Sequence, residues 1–230
     1  MLTIGIIGGM GPMATVDLFE KIVKSTPANK DQEHLKVIVY NNPQIPSRID
    51  AILNGTESPL EELIASAQLL EKAGADILAM ACNTAHFWHK DIQSAVSVKL
   101  LNMIENTADY AKAHMLDPNG KILLLSTAAT VKTKMYQNAF SAAGLEIMTL
   151  SDEEQITISF AIEEVKAGKL ETNSYSKIVA ELVFKYRQMG VHSFVAGCTE
   201  IPLLFRYMSG DYCLIDPTQL LALSLVREAL

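Results

Sequence analysis

The chain has 230 residues, 49% hydrophobic and 20% charged, and 19 basic against 26 acidic side chains give a formal net charge of −7. This is the composition of a globular protein with a core, not of a disordered or fibrous chain, and its acidic balance lacks the basic face that DNA or RNA requires. No apolar run reaches the roughly 18 residues of a membrane span and no charged-then-apolar leader opens the chain, so the reading is a cytoplasmic protein with neither nucleic acid nor membrane as partner.

Thr3–Gly8 and Val37–Tyr40 read as buried strands. Thr15–Ser25 between them has helical periodicity, with Val16, Leu18, Phe19, Ile22 and Val23 spaced for one face. This is βαβ grammar. Pro59–Gly74 follows as a helix stopped by Gly74, then a strand over Asp76–Ala81, a strand over Lys99–Met103 and a helix from about Asn106 to Met115. Asp117–Gly120 is a turn-rich break, punctuated by Pro118 and Gly120.

After the break the pattern starts again. Lys121–Ser126 is a strand and Thr127–Ala143 is helix-like; Glu163–Lys169 reads as a charge-rich helix end; Tyr175–Met189 is a helix closed by Gly190; His192–Ala196 is a strand; Tyr212–Asp216 and Pro217–Ala229 repeat the last strand and helix of the first pass. Cys82 stands 74 residues beyond Gly8, and Cys198 stands 72 beyond Ser126. The predicted architecture is therefore α/β, with two similar lobes, each a mostly parallel sheet flanked by helices. The lobes are related by a pseudo-twofold with the active site between them, over residues 1–98 with 215–230, and 99–214.

Cys82, Cys198 and Cys213 form no short-spaced pair, which leaves no zinc ribbon and no CxxC redox site. Cys213 falls opposite Leu101 in the repeat and reads as core. Ligands of parallel sheets gather beyond the carboxyl ends of the strands, where Gly8–Thr15, Asn41–Arg48, Cys82–Thr84, Ser126–Thr130 and Cys198–Glu200 fall. Gly9-Met10-Gly11-Pro12-Met13-Ala14 satisfies a GxGxxA pattern. The second strand, however, ends in Asn41-Asn42-Pro43, without the acidic residue that would hold a ribose, so a loop for a small carboxylate is the preferred reading.

Each of Cys82 and Cys198 follows a strand and precedes a hydroxyl residue suited to a helix start, a place where a thiol's pKa falls toward neutrality. One such cysteine is an ordinary small buried residue. Two at equivalent strand ends suit proton transfer at one carbon, a thiolate removing a proton while the opposite thiol supplies one. No histidine is placed symmetrically with either cysteine, so acyl chemistry is the weaker reading. Arg48, on a proline-stiffened loop, is suited either to fork onto a carboxylate or to pair on the surface with Asp50 or Glu57. His86 and His89 have a spacing that permits metal ligation but lack a third ligand, and read as helix packing beside the site; the metal expectation is none.

Gly8-Gly9-Met10-Gly11-Pro12, Ala81-Cys82-Asn83-Thr84-Ala85-His86 and Gly197-Cys198-Thr199-Glu200-Ile201-Pro202-Leu203 together resemble the aspartate/glutamate racemase family, in its aspartate-racemase-like, cofactor-independent branch. The resemblance covers essentially the whole chain. It implies two-base racemisation of a small acidic amino acid, aspartate or glutamate, without pyridoxal phosphate, metal or other cofactor. Cys82 would act on the D-enantiomer and Cys198 on the L-enantiomer.

The same resemblance implies that Asn83, Thr84, Thr127 and Thr199 hold the α-carboxylate and amino group, beside the Gly9, Met10 and Gly11 loop. Arg48 and Lys166 would meet the side-chain carboxylate, Glu200 would orient the second thiol, and a homodimer is the expected assembly. A maleate-isomerase, arylmalonate-decarboxylase or hydantoin-racemase activity on the same lobes, and a non-catalytic carboxylate-binding protein, remain alternatives.

Overall fold

The computed structural model describes residues 1–114, 120–205 and 212–230. Met115 and most of the expected Asp117–Gly120 break lie outside the described residues. The chain divides into two compact units, Met1–Asn106 with Thr218–Leu230, and Thr107–Pro217.

In chain order the first unit holds β1 (Ile4–Gly8), α1 (Pro12–Ser25), a 3-10 turn over Asp31–Glu33, β2 (Val37–Asn41), α2 (Arg48–Asn54), α3 (Leu60–Lys72), β3 (Ile77–Met80), a 3-10 turn over Thr84–Trp88, α4 (His89–Ser94) and β4 (Lys99–Leu100). Helix α5 (Met103–His114) runs across the division. The second unit continues with β5 (Lys121–Ser126), α6 (Ala128–Lys132), α7 (Met135–Ala142), β6 (Ile147–Met148), α8 (Asp152–Lys166), α9 (Ser176–Gln188), β7 (Val191–Gly197), α10 (Ile201–Phe205) and β8 (Cys213–Ile215), and α11 (Pro217–Ala229) returns to the first. Among the described residues the strands form two four-stranded sheets, ordered β2-β1-β3-β4 and β6-β5-β7-β8, with every pairing parallel. No helix of the described residues is long and apolar enough to cross a membrane.

Parallel strands covered on both faces become continuous apolar runs, because neither face meets water. The Ile4–Gly8 strand is buried at every position, as are Ile77–Met80 and, after Lys121, the rest of β5. The two sheets also match in register. Ile4 pairs with Ile77 and Ile122 with Ser193, and Cys82 and Cys198 each lie five residues further along (77 to 82, 193 to 198). The equivalence of the two cysteines is thus a property of strand pairing as well as of sequence spacing.

Several sequence expectations shift. The lobe boundaries move to 106/107 and 217/218, because Lys99–Leu100 pairs with β3 inside the first sheet and Cys213–Ile215 pairs with β7 inside the second. The same registers set Cys213 opposite Lys99, not Leu101, and Cys213 is exposed instead of in the core. The expected single helix over Thr127–Ala143 is broken at Thr133–Lys134, where Lys134 takes φ 55°. Helix α1 turns Ala14, Thr15, Leu18 and Ile22 inward and leaves Met13, Val16, Phe19 and Val23 exposed, so its five expected apolar positions do not form one buried face. The inward place of Thr15 follows from its hydroxyl, which accepts from the Gly9 N–H at 2.9 Å.

Candidate active site

In the first unit, Gly8 pairs with Asn41 and Ile7 with Met80, so the loops after β1, β2 and β3 leave the same carboxyl edge. Gly9, Met10 and Gly11 begin there. Gly9 has φ +98°, and a Cβ on it would overlap the backbone of Asn42, whose N–H donates to the Gly8 carbonyl at 3.3 Å. Gly9→Ala is therefore expected to cost about 3 kcal/mol or more, through the strained φ and the overlap together; urea denaturation checks this. Gly11 caps α1, and the Thr15 hydroxyl donates to its carbonyl at 3.1 Å. Met10, Ile45 and Cys82 belong to one buried cluster with Ala85 and Trp88.

Arg48 is the first residue of α2, not a loop residue, with Ser47 as its N-cap. Its Nη1 donates to the carbonyls of Ile45 at 2.9 Å and Pro46 at 2.8 Å, and neither Asp50 nor Glu57 is its partner. Its Nε is buried with no hydrogen-bond partner among the described residues. The guanidinium is thus held through Nη1, while its Nε is buried and unpaired.

Cys82, Asn83 and Thr84 follow β3 and are all buried. Asn83 caps the short 3-10 turn, in which Thr84 is the first residue. His86, read from sequence as packing, is bonded at both ring nitrogens, to the Cys82 carbonyl at 2.8 Å and the Met103 N–H at 3.2 Å. Among the described residues no group of three His, Cys, Asp or Glu is placed to hold a metal.

In the second unit, Ser126 pairs with Gly197, so the turns after β5 and β7 share an edge. Thr127 is the N-cap of α6, its hydroxyl accepting from the Thr130 N–H at 3.2 Å. Gln155, which no sequence signal selected, donates to the Ser126 carbonyl at 2.8 Å and steadies that turn. Cys198, Thr199 and Glu200 are buried side by side. The Cys198 thiol donates to Glu200 Oε2 at 2.9 Å, and the Thr199 hydroxyl donates to the same oxygen at 3.0 Å.

This changes the expectation for the second thiol. Burial, and then the Glu200 carboxylate, push the Cys198 thiol well above its ordinary pKa, while the positive charge of Lys166 works against them. The helix start at α10 was expected to lower it; desolvation beside a carboxylate prevails there. Lys166, an exposed residue at the end of α8, is thereby within electrostatic reach of Cys198. Tyr136, on α7, carries no local sequence signal of a site. Its fully buried phenol is raised well above the ordinary value by burial, a hydrogen bond with Thr107 opposing and the charges of Asp216 and Cys198 adding.

The profile of the family described as Asp/Glu/Hydantoin racemase matches residues 7–225. The chain belongs to this family. Its chemistry is that of an isomerase. The chain is 27% identical to the broad specificity amino-acid racemase RacX of Bacillus subtilis, across 99% of this chain and 98% of that protein. The fold superposes on the aspartate racemase of Picrophilus torridus with a TM-score of 0.87 at 33% identity, covering 100% of this chain and 94% of that one. An aspartate racemase homologue from Pyrococcus horikoshii is similar at 28% identity and TM-score 0.79, covering 100% and 99%. Within this Asp/Glu/Hydantoin racemase fold, each unit carries one buried cysteine at a register-matched strand end with its own polar surroundings.

Proposed function

We propose that the protein racemises an acidic amino acid, aspartate or glutamate, by a two-base proton transfer between Cys82, Cys198 and Cα, without a cofactor. The observation that carries this reading is the pair of buried cysteines at matched positions of the two sheets, in a chain similar over its full length to an aspartate racemase. In one direction the Cys82 thiolate takes the Cα proton of the D-acid while the Cys198 thiol delivers one to the opposite face. In the other direction the roles exchange.

Deprotonating Cα builds negative charge on the α-carboxylate, which needs donors already in place. Asn83 and Thr84 of the first unit and Thr127 and Thr199 of the second have that role in this reading, with the Gly9–Gly11 loop. Arg48 and Lys166 bind the far carboxylate, and the unpaired Nε of Arg48 supports this. Glu200 takes the proton of Cys198 when that residue must become the base. Similarity to a broad-specificity racemase favours testing a panel that reaches beyond the two acids. The reading includes a cytoplasmic homodimer.

The test is incubation of L-aspartate, L-glutamate and other amino acids with the protein in D2O, without added cofactor. Deuterium should enter Cα of an acidic amino acid as optical rotation is lost. If no amino acid of the panel exchanges, the reading is wrong.

A further inference from the structure

The segment after Cys82 is tied to the strand and helix that follow it by side chains the proton transfer itself does not use. His86 Nδ1 faces the Cys82 carbonyl at 2.8 Å. A carbonyl only accepts, so that nitrogen carries the hydrogen. Nε2 faces the Met103 N–H at 3.2 Å, at the first residue of α5, and must accept. A single state of the ring satisfies both contacts, the neutral imidazole protonated on Nδ1.

Its surroundings favour that state. His86 is 5% exposed, and its pKa is pushed down to about 4, first by desolvation; the Cys82 carbonyl and, more weakly, the Leu101 backbone oppose, and the neighbouring His89 adds to the lowering. His89 stacks on it, with centroids 5.8 Å apart, and its own Nε2 reaches the Leu100 carbonyl at 2.9 Å. Gln93 completes the connection, donating to the Val98 carbonyl at 3.0 Å and accepting from the Leu100 N–H at 2.7 Å. In the second unit the Cys198 carbonyl accepts from the Ile201 N–H within its own turn, at 3.1 Å.

We propose that His86 is a positioning residue for Cys82: a neutral imidazole that locks the backbone of the first thiol to the start of α5 and so fixes where its sulfur points. The proposal rests on the two-cysteine reading above. Proton transfer to carbon is sensitive to placement, since an error near 1 Å costs about a hundredfold in rate. A side chain that neither donates to the Cys82 carbonyl nor accepts from Met103 would also remove the hydrogen bond His86 makes at each of them.

Three measurements test it. In the wild-type protein, the long-range proton–nitrogen NMR spectrum of His86 should show the neutral ring with its hydrogen on Nδ1 at pH 7, a result that depends on no variant folding. His86→Leu should lower kcat for Cα exchange about 10–100-fold with KM changed less than about threefold, and should alter the alkylation rate of Cys82 but not of Cys198. His86→Gln, which can both donate and accept, should recover most of the rate. An imidazolium or an Nε2 hydrogen at pH 7, a wild-type kcat in His86→Leu, or equal changes at both thiols would overturn the proposal. Should the wild-type protein exchange no amino acid, the racemase reading fails by itself, while the ring's state and the paired alkylation rates still decide the role of His86.

Discussion

Replacing Cys82 or Cys198 by serine is expected to lower racemisation by on the order of a thousandfold, the scale of a lost general acid or base. A hydroxyl is a far weaker acid than a thiol, so neither variant can form the base on its side or deliver a proton readily. The two enantiomers have equal free energy, so kcat/KM must fall equally in both directions in either variant. The difference between the thiols shows only where one base suffices. Elimination of HCl from an amino acid chlorinated at Cβ is such a reaction: the base takes the Cα proton, a carbon–carbon double bond forms and chloride leaves. Cys198→Ser should keep elimination from the D-enantiomer and Cys82→Ser from the L-enantiomer. Loss of both eliminations in both variants, with each protein folded by circular dichroism, would contradict a two-base mechanism.

Glu200→Gln should separate the acidity of Cys198 from its usefulness. The Cys198 thiol is held above its ordinary pKa by burial and by the Glu200 carboxylate. The sign follows: its thiolate accumulates only above the usual thiol range of about 8.5, so alkylation at Cys198 should rise at a higher pH than for an ordinary cysteine. Removing the carboxylate charge brings that profile down, making the thiol more reactive near neutrality. Turnover should nevertheless fall, by about 10–100-fold. The amide can no longer take the proton that passes from Sγ to Oε2 across 2.9 Å. Glu200→Asp should be intermediate in rate. Peptide mapping after alkylation across a pH series reads the first effect and Cα exchange the second; an unmoved alkylation profile, or wild-type turnover, would sink the role assigned to Glu200.

The strands were legible because they are buried on both faces. Ile4–Gly8, Ile77–Met80 and Lys121–Ser126 are apolar runs that need no neighbour to be recognised. Helix α8 was harder. It buries Ile158, Ala161, Ile162 and Val165 at helical spacing, but Ile156 and Phe160 stand exposed, which blurs the amphipathic stripe, and only its charged end was read. Strand β6 has two residues and leaves almost no pattern. The outward side of α1 misled for a related reason, since an apolar helix position is buried only if the neighbouring element covers it.

The site divides along the same line. Cys82 and Cys198 were readable from their place at the ends of apolar strands, and the register of the sheets repeats that placement. The partners of the thiols were less so. His86 is tied to a residue 17 positions away and Lys166 acts on a cysteine 32 positions away. Gln155, 29 positions from the carbonyl it holds, carried no local signal at all.

The sequence by itself determined the α/β class, the repeated strand pattern, the family and the matched strand-end placement of two cysteines, because burial and strand-end placement are written in local composition. Only the tertiary structure decided the chemistry around each thiol. Whether a cysteine is made more or less acidic depends on desolvation and on which charge comes within a few ångströms, and these are set by chain segments distant in sequence. At Cys198 desolvation, and then the buried Glu200 carboxylate, outweigh the positive charge of Lys166. At Cys82 the ring of His86 bonds the backbone carbonyl.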